Sequence, residues 1–476
     1  MFATSQHVHF IGIGGIGMSG IAEILLSLGM KVSGSDLRRG PVTDRLARLG
    51  AAIHEGHDAG NVAGATVVVT SSAVTAANPE VIEAHARKIP VIQRAEMLAE
   101  LMRLKYGIAI AGMHGKTTTT SMVAAVLSAG GLDPTVVVGG RVDALGSNAW
   151  LGTTQYLVAE ADESDRSFLK LSPILAVVTN LDREHMDCYR DMQDVEQTFV
   201  EFMDRVPFYG MVVACWDNQA LRALLPRVQR RVVTYGLGEG ADFRITPGNR
   251  PTSANNSQMW GTESGGELVE PKSTFEVNYR GRDLGEFHLR VPGAHNVLNA
   301  TAAIAVGVGL DVATEEIRSA LDEFRGVDRR FQVKGSGAGV TVIDDYGHHP
   351  TEIKATLAAA RECGYRRVLV VFQPHRYTRT QLLMEDFAEA FRDADAVFML
   401  DIYAASEAPI AGVTSQVLAA RVRDKGGRPA EYVAKFDDAM EAIAKEAQAG
   451  DMVLTLGAGN VSQLGPMIVD RLSATY

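Results

Sequence analysis

Short runs of apolar residues rich in Val, Ile and Ala alternate along the chain with longer stretches rich in Ala and Leu. The runs at 8–13, 67–70, 107–111, 156–159 and 175–179 have the length and composition of buried strands. Strands that alternate with helices usually pair in parallel, with helices covering both faces of the sheet. The pattern therefore predicts an α/β fold built on parallel sheets.

The alternation restarts twice along the chain. The first series ends near residue 104, the second opens at 107–111, and a helical stretch at 300–324 closes it. A length of 476 residues agrees with three domains, because one domain averages roughly 150 residues. Strand candidates of the third series lie at 340–343, 368–372, 396–400 and 452–456. We predict domains at 1–104, 105–326 and 327–476.

Composition and charge exclude several classes of partner. A net charge of −11 and a pI near 5.6 argue against nucleic acid or an anionic membrane as a ligand. No leader-like segment or long apolar run is present, so we expect a soluble, cytoplasmic protein. Cys188, Cys215 and Cys363 lack metal-ligand spacing and fit a reducing compartment. Residues 246–274, rich in Pro, Ser, Asn and Gly, predict a surface excursion.

The first predicted strand runs into a glycine-rich turn. Gly12, Gly14 and Gly17 form a GxGxxG pattern, and Asp36 ends the next predicted strand. In this context backbone N–H groups can approach a pyrophosphate at the positive end of a helix, and the carboxylate can accept a hydrogen bond from a ribose or base. A tight structural turn is the plain alternative, and the motif does not select a particular nucleotide.

The second domain opens with a candidate phosphate-binding loop. The sequence after the strand at 107–111 is Gly112-Met113-His114-Gly115-Lys116-Thr117-Thr118, a P-loop variant that is two residues shorter between its glycines than the usual pattern. Amides of such a loop surround phosphate oxygens, the lysine neutralises phosphate charge, and the first threonine can bind Mg²⁺. The loop predicts ATP binding, and an ordinary helix start is the alternative.

Two neighbouring strand ends carry candidate magnesium ligands. Glu160 follows one apolar run of the second domain and His185 follows the next. Parallel sheets collect ligands at the carboxyl ends of their strands, so both side chains are expected near Lys116. A carboxylate is a usual Mg²⁺ ligand, and a histidine there can bind a second Mg²⁺ or a transferring phosphate. A solvated loop is the alternative, and it suits Glu163 better than Glu160.

Further polar groups follow in the late second domain and in the third. Asn296 and Asn299 share one face of a predicted helix, where they can recognise a base or cap the helix. In the third domain, arginines can capture carboxylate or phosphate, and a His/Asp group can position or deprotonate an amine. Scattered surface charges are the alternative. The residues concerned are Arg330, Asp345, Tyr346, His348, His375, Arg376 and Arg379.

Across about residues 7–460 the chain resembles the Mur ligases of peptidoglycan synthesis. Each matching segment alone is a weak signal, but their joint order and spacing are specific. The segments are HFIGIGGIGMSGIA, AGMHGKTTTT, AEADESDRSFL, TNLDREHMDCY, GAHNVLNA, GVDRRF, DDYGHHPTE and QPHRYTRT.

The resemblance implies a fold and an activity. The implied fold is α/β with an N-terminal Rossmann-like parallel sheet that binds the UDP substrate, a central P-loop ATPase domain, and a C-terminal Rossmann-like domain that closes over ATP and binds the amino acid. The implied reaction is the ATP- and Mg²⁺-dependent ligation of L-alanine to the lactyl carboxylate of UDP-N-acetylmuramate through an acyl phosphate. The implied partners are these two substrates, without nucleic acid or membrane. A monomer and a homodimer both remain open.

The resemblance also implies roles for individual residues. For ATP it implies Gly112, His114, Gly115, Lys116, Thr117, Thr118, Asn296, Asn299, Arg330 and Asp345. For the UDP substrate it implies Gly14, Gly15, Ile16, Asp36, Ser71 and Arg94, and for Mg²⁺ it implies Thr117, Glu160 and His185. For the amino acid it implies Tyr346, His348, His375, Arg376 and Arg379. The implied catalytic set is Lys116, Glu160, His185, His348, Arg376 and Arg379.

Three positions depart from the family pattern. Met113 stands where Thr is usual, Asp182 where Glu is usual, and Glu184 where Asp is usual. The last two exchanges keep the charge but move a carboxylate by one methylene group.

Three other functions remain as alternatives. A related ligase attaches a recycled tripeptide to the same UDP-sugar, although DDYGHHP and QPHRYTR favour the alanine enzyme. A nicotinamide-dependent oxidoreductase would use the first glycine-rich turn but leave Lys116, Glu160 and His185 without a role. A non-catalytic ATP switch would have no need of the polar loops in the third domain.

Overall fold

The computed structural model describes residues 6–71, 73–142, 147–248 and 273–474. The predicted excursion at 246–274 therefore lies mostly outside the described residues. The chain divides into two compact units. The first unit comprises Met1–Thr246, Glu276–Phe287 and Leu298–Leu321, and the second comprises Pro247–Phe275, His288–Val297 and Asp322–Tyr476.

The N-terminal sheet has five strands, all paired in parallel. Its strands are β1 (His7–Ile11), β2 (Lys31–Asp36), β3 (Ala52–Glu55), β4 (Val67–Thr70) and β5 (Val91–Gln93), and its helices are α1 (Ile16–Ser27), α2 (Pro41–Arg48), α3 (Pro79–Ala86) and α4 (Arg94–Arg103). The strand order is β3-β2-β1-β4-β5. Because the order reverses beside β1, the carboxyl ends of β1 and β4 border the crevice where such sheets bind ligands.

The central sheet has ten strands, in the order β15-β14-β13-β12-β11-β10-β6-β9-β7-β8. They are β6 (Tyr106–Ala111), β7 (Thr135–Val142), β8 (Ser147–Trp150), β9 (Tyr156–Glu160), β10 (Leu175–Val178), β11 (Met211–Cys215), β12 (Val232–Gly236), β13 (Phe243–Pro247), β14 (Ser273–Tyr279) and β15 (Arg282–Leu289). The helices are α5 (Lys116–Ala129), α6 (Met192–Met203), α7 (Gln219–Leu224), α8 (Ala294–Gly309) and α9 (Thr314–Glu323). The strands β10, β6 and β9 are parallel neighbours, so their carboxyl ends lie side by side.

The third sheet lies in the second unit and has the strand order β16-β17-β21-β18-β19-β20, parallel except for the β16–β17 pair. The strands are β16 (Gln332–Gly337), β17 (Val340–Asp345), β18 (Val368–Phe372), β19 (Ala396–Met399), β20 (Ala430–Tyr432) and β21 (Met452–Leu456). The helices are α10 (Pro350–Glu362), α11 (Tyr377–Leu382), α12 (Met384–Ala390), α13 (Ser415–Gly426), α14 (Phe436–Glu446) and α15 (Leu464–Ser473). Apolar clusters fill both faces of this sheet, as expected for strands buried between helices.

The predicted α/β class with three sheets is confirmed, and one helix prediction is wrong. The single helical stretch predicted at 300–324 is two helices, α8 and α9. The chain turns between them at Asp311, whose φ of 58° is incompatible with a continuous helix. The domain limits at 104 and 326 remain predictions. Within the described residues, no helix is long and apolar enough to cross a bilayer.

We expect the aromatic core of the first unit to tolerate truncation poorly. Phe202 is 0% exposed and stacks on Phe168 with 4.8 Å between ring centroids. Phe202→Ala should therefore lower the free energy of unfolding by about 3–5 kcal/mol through lost burial and a cavity. Phe208 in the same unit is 92% exposed, so Phe208→Ala should change the free energy of unfolding by less than about 0.5 kcal/mol. Denaturant unfolding of both variants measures the difference, and equal effects would contradict this account of the core.

Candidate active site

The loop after β6 is shaped by two glycines. Gly112 has a φ of 129°, and a Cβ there would lie 2.1 Å from Thr179 Oγ1. Gly115, the N-cap of α5, has a φ of 81°, and a Cβ there would lie 2.6 Å from Asn299 Oδ1. Other residues are strained at these φ values and would clash with these neighbours. The glycines therefore allow the loop to pack closely while the N-terminal amides of α5 stay free of a side-chain cap, as at anion-binding helix termini.

Lys116, the first residue of α5, is held by oxygen atoms of its own loop and of a neighbouring carboxylate. Its Nζ donates to Gly112 O at 2.8 Å, to Met113 O at 3.3 Å and to Glu163 Oε1 at 2.7 Å. Burial alone would lower the pKa of Lys116, but the Glu163 and Glu160 carboxylates outweigh it and raise the pKa above its ordinary value. The ammonium charge is therefore permanent at physiological pH.

Oxygen donors suitable for Mg²⁺ lie beside this lysine. The Thr117 hydroxyl donates to Glu160 Oε2 at 2.9 Å. The Glu163 side chain is 1% exposed, and within the described residues its Oε2 has no hydrogen-bond partner. A buried carboxylate oxygen without a donor is costly, and hard oxygen ligands are those that Mg²⁺ prefers. The donor set therefore fits a magnesium ion.

His185 lies after β10, next to the phosphate-binding loop. Its Nε2 is 3.4 Å from Glu163 Oε1 and 4.0 Å from Glu184 Oε2. Its φ of 56° is unusual for a residue other than glycine, and the N–H groups of Cys188 and Tyr189 both donate to its carbonyl oxygen. Residues in such strained conformations cluster at functional sites. The structure thus brings Lys116, Glu160 and His185 to one sheet edge.

Several residues at this edge were missed or underrated by sequence reasoning. The sequence favours a solvated loop position for Glu163, yet its side chain is buried between Lys116 and His185. Asn180 holds the phosphate-binding loop, because its side chain accepts from His114 N and donates to His114 O, both at 2.9 Å. The only sequence signal for either residue was its presence in a matched segment, since the direction of a loop side chain has no periodic signature.

Two of the family departures, Asp182 and Glu184, and one predicted ATP contact, Asn299, lie near this loop. His114 Nε2 lies 2.9 Å from Asp182 Oδ2, and His114 Nδ1 lies 3.9 Å from Glu184 Oε2. Thr118 is buried in the first turn of α5, and Thr119 Oγ1 donates to Asn299 Oδ1 at 3.1 Å. Asn296 is part of the second unit, where its Nδ2 donates to Pro292 O at 2.7 Å.

The predicted residues for the UDP substrate gather at the carboxyl edge of the N-terminal sheet. Gly14 N donates to Asp36 Oδ2 at 2.9 Å, so the acidic residue is tied to the glycine-rich turn. Gly15 is the N-cap of α1, which begins at Ile16. Ser71 directly follows β4. A Cβ on Gly17 would lie 2.7 Å from Arg94 Nη1, and Arg94 Nη2 lies 3.3 Å from Asp162 Oδ2.

In the second unit, Asp345 and Arg330 organise the turn after β17. Asp345 accepts hydrogen bonds from Phe331 N and Gly347 N, each at 2.8 Å, and from the Thr356 hydroxyl at 3.1 Å. Burial raises the pKa of Asp345, while the nearby Arg330 opposes this shift. The Arg330 guanidinium lies 5.0 Å from the centre of the Tyr346 ring. Asp345 therefore holds its own loop in place.

A histidine pair connects the two polar loops of this unit. The ring centroids of His348 and His375 are 5.9 Å apart. His348 Nδ1 lies 3.2 Å from Glu352 Oε2, and Arg379 Nη1 donates to His375 Nδ1 at 3.1 Å. Burial, His348 and the guanidinium groups of Arg379 and Arg376 lower the pKa of His375 to about 3. His375 is therefore neutral and able to accept this hydrogen bond.

Arg376 combines backbone strain with an unused donor. Its φ is 70°, and its N–H donates to Tyr403 O at 2.9 Å. Its Nε is buried and has no hydrogen-bond partner among the described residues. Unsatisfied buried donors are rare and call for an explanation. An anionic ligand such as a carboxylate would satisfy this one.

Three family models match the chain. They are the Mur ligase family catalytic domain at residues 7–106, the Mur ligase middle domain at 110–307 and the Mur ligase glutamate ligase domain at 329–459. Each of the three models matches the region of one of the three sheets.

Curated relatives and solved structures agree with these models. The UDP-N-acetylmuramate–L-alanine ligase of Koribacter versatilis is 67% identical over 100% of this chain and 99% of its own length, and that of Acidobacterium capsulatum is 64% identical over the same shares. The crystal structure of the UDP-N-acetylmuramate-alanine ligase of Thermotoga maritima has a TM-score of 0.77 at 29% identity, covering 99% of this chain and 100% of that one. A murein peptide ligase of Psychrobacter arcticus shares the fold, with a TM-score of 0.66 at 24% identity over 98% and 99% of the two chains. By its sequence, its three sheets and the residues at their edges, the chain belongs to the Mur ligase family.

Proposed function

We propose that this protein joins L-alanine to the lactyl carboxylate of UDP-N-acetylmuramate, consuming ATP and forming UDP-N-acetylmuramoyl-L-alanine, ADP and phosphate. The observation that carries the proposal is the phosphate-binding loop, where Lys116 meets the buried Glu163 carboxylate and Thr117 meets the Glu160 carboxylate at one sheet edge. We assign the UDP substrate to residues 1–104, ATP to 105–326 and the amino acid to 327–476. Because ATP is an intracellular substrate, we also propose a cytoplasmic location.

The first step activates the carboxylate. One carboxylate oxygen attacks the γ-phosphorus of ATP, the bond to the β-phosphate oxygen breaks, and an acyl phosphate and ADP result. Lys116 stabilises the negative charge that spreads over the phosphate oxygens. Thr117, Glu160 and His185 would hold Mg²⁺, which supplies further positive charge there. The amides of Gly112, Gly115 and Thr118 suit the phosphates, whereas the His114 amide donates to the Asn180 side chain and holds the loop. Asn299 lies against the same loop.

The second step forms the amide. The neutral amine of L-alanine attacks the acyl carbon, a proton leaves the nitrogen, and the carbon–oxygen bond to phosphate breaks. His348, beside Glu352, is suited to receive that proton. Arg376, with its unused Nε, and Arg379 suit the carboxylate of the amino acid. Tyr346 and His375 form the wall of this site, and Asp345, Arg330 and Asn296 belong to the same unit.

The choice of amine rests on the relatives rather than on the geometry. Relatives 67% and 64% identical along the whole chain are named for L-alanine, which supports L-alanine here. The tripeptide alternative has less support, because the murein peptide ligase at 24% identity supports the fold alone. An oxidoreductase or an ATP switch would not explain the polar loops after β17 and β18 of the second unit, which carry His348 and His375.

Phosphate release tests the proposal directly. Release from ATP and Mg²⁺ should require both UDP-N-acetylmuramate and L-alanine. Lys116→Ala should reduce the rate at least about hundredfold, because one charged stabiliser of the phosphoryl group is lost. The control Lys445→Ala removes an exposed lysine of α14 and should leave the rate unchanged. Release that requires the tripeptide instead would favour recycling, and release without any UDP-sugar would refute the ligase.

Magnesium dependence tests the assignment of Glu160. Glu160→Gln keeps the shape of the side chain but removes its charge, so the Mg²⁺ concentration at half-maximal rate should rise about 10–100-fold. Glu239→Gln is the matched control in the same unit, since its side chain is 89% exposed. A Mg²⁺ titration of the initial rate measures both. An unchanged midpoint in Glu160→Gln would remove Glu160 from the magnesium site.

The low pKa of His375 predicts acid sensitivity. Because the pKa falls from its ordinary 6.5 to about 3 in the folded protein, the unfolded chain binds more protons between these values. Stability should therefore fall as pH drops below 6.5. His375→Gln should lose less stability between pH 7 and pH 5 than the wild type does, whereas removal of the exposed His85 should not change this difference. Denaturant midpoints at the two pH values measure these losses of stability. Equal losses in all three proteins would contradict the low pKa of His375.

A further inference from the structure

Glu163 is a buried carboxylate in the ATP site to which the proposed reaction assigns no step. Its Oε1 accepts from Lys116 Nζ at 2.7 Å and lies 3.4 Å from His185 Nε2. Its Oε2 is buried and has no hydrogen-bond partner in the part of the chain that the structure describes. The Glu163 carboxylate therefore pairs with the Lys116 ammonium group, to which a nucleotide phosphate would also bind.

The position of Glu163 is fixed by its backbone. The carbonyl oxygen of Glu163 accepts from the Tyr189 hydroxyl at 2.6 Å and from Arg166 N at 3.1 Å. Tyr189 is itself buried, and the Arg166 guanidinium lies 4.7 Å from the centre of its ring while also pairing with Asp194. This framework therefore holds the loop so that the Glu163 carboxylate lies beside Lys116.

We propose that Glu163 is a positioning residue that occupies Lys116 in the nucleotide-free protein and makes nucleotide binding depend on a divalent cation. The inference rests on the proposed ATP site. A phosphate that approaches without a cation must compete with Glu163 for Lys116 and is also repelled by its charge. Glu160 and Glu184 add negative charge at the same edge.

A divalent cation reverses this balance. Its charge would offset the repulsion between phosphate and carboxylates, and the Glu163 Oε2, which has no hydrogen-bond partner among the described residues, would help to hold it. The site would thus bind nucleotide with Mg²⁺ more tightly than metal-free nucleotide. The same carboxylate pairs with Lys116 at 2.7 Å, because a largely buried ammonium without a partner would be costly.

The test is calorimetric titration with ADP in Mg²⁺ and in EDTA, without UDP-sugar or alanine. Wild type should bind ADP more tightly in Mg²⁺. Glu163→Gln should bind metal-free ADP about tenfold tighter than wild type, since one like charge at close range is worth about a tenfold change or more. Binding in Mg²⁺ should be unchanged or weaker, so the ratio of the two affinities falls.

Asp165→Asn is the matched control. Asp165 is exposed in the same loop and accepts from Ser167 N at 2.9 Å, so its neutralisation removes the same net charge and should leave the ratio unchanged. An unaltered affinity for metal-free ADP in Glu163→Gln would overturn the inference, as would an equal weakening in both conditions. Absence of ADP binding by wild type would instead refute the proposed ATP site.

A second pair of variants covers the case in which Glu163→Gln does not fold, which thermal unfolding would reveal. Lys116→Met leaves the Glu163 carboxylate without its lysine partner. Lys116→Met combined with Glu163→Gln removes both charges of the Lys116–Glu163 pair. The double variant should bind metal-free ADP about tenfold tighter than Lys116→Met alone, because only the repulsive charge distinguishes them. Equal affinities would overturn the inference.

Discussion

The positive charge of Lys116, whose side chain is only 15% exposed, is the constraint on which the nucleotide site depends. A lysine that must meet phosphate at the start of α5 cannot be left unpaired when the site is empty, because an uncompensated buried charge is strongly destabilising. Two loop carbonyls and Glu163 provide its partners. The parallel pairing of β9, β6 and β10 makes this possible, since it brings the loop carrying Glu163 to the edge that also carries His185.

Backbone conformation sets the precision of both polar regions. Gly112 and Gly115 have positive φ values and pack against Thr179 and Asn299, which leaves no room for a side chain. His185 and Arg376 adopt positive φ values without being glycine, and hydrogen bonds from or to neighbouring backbone groups hold them there. Strain of this kind persists only where the surroundings over-determine it. At His185 and Arg376 the surroundings that hold this conformation are the two polar regions themselves.

The second unit uses the opposite electrostatic arrangement from the first. Around Lys116 negative charges predominate and raise the pKa of the lysine, whereas around His375 burial and then positive groups lower the pKa of the histidine. The first environment suits a cation with its phosphates, and the second suits an anionic carboxylate together with a neutral imidazole. This division of charge agrees with the phosphates of ATP near Lys116 and the carboxylate of an amino acid near His375.

The sequence by itself determined the α/β class, the three sheets and the limits of several central strands, including 67–70, 368–372 and 452–456, because buried parallel strands are continuous apolar runs. It also located the phosphate-binding loop, whose glycines and lysine are adjacent in the chain. It could not separate α8 from α9, since a break with φ at 58° at Asp311 leaves the apolar pattern almost uninterrupted. Only the tertiary structure decided that Glu163 faces Lys116 and that Asn180 holds the loop, because the direction of a loop side chain depends on partners distant in sequence.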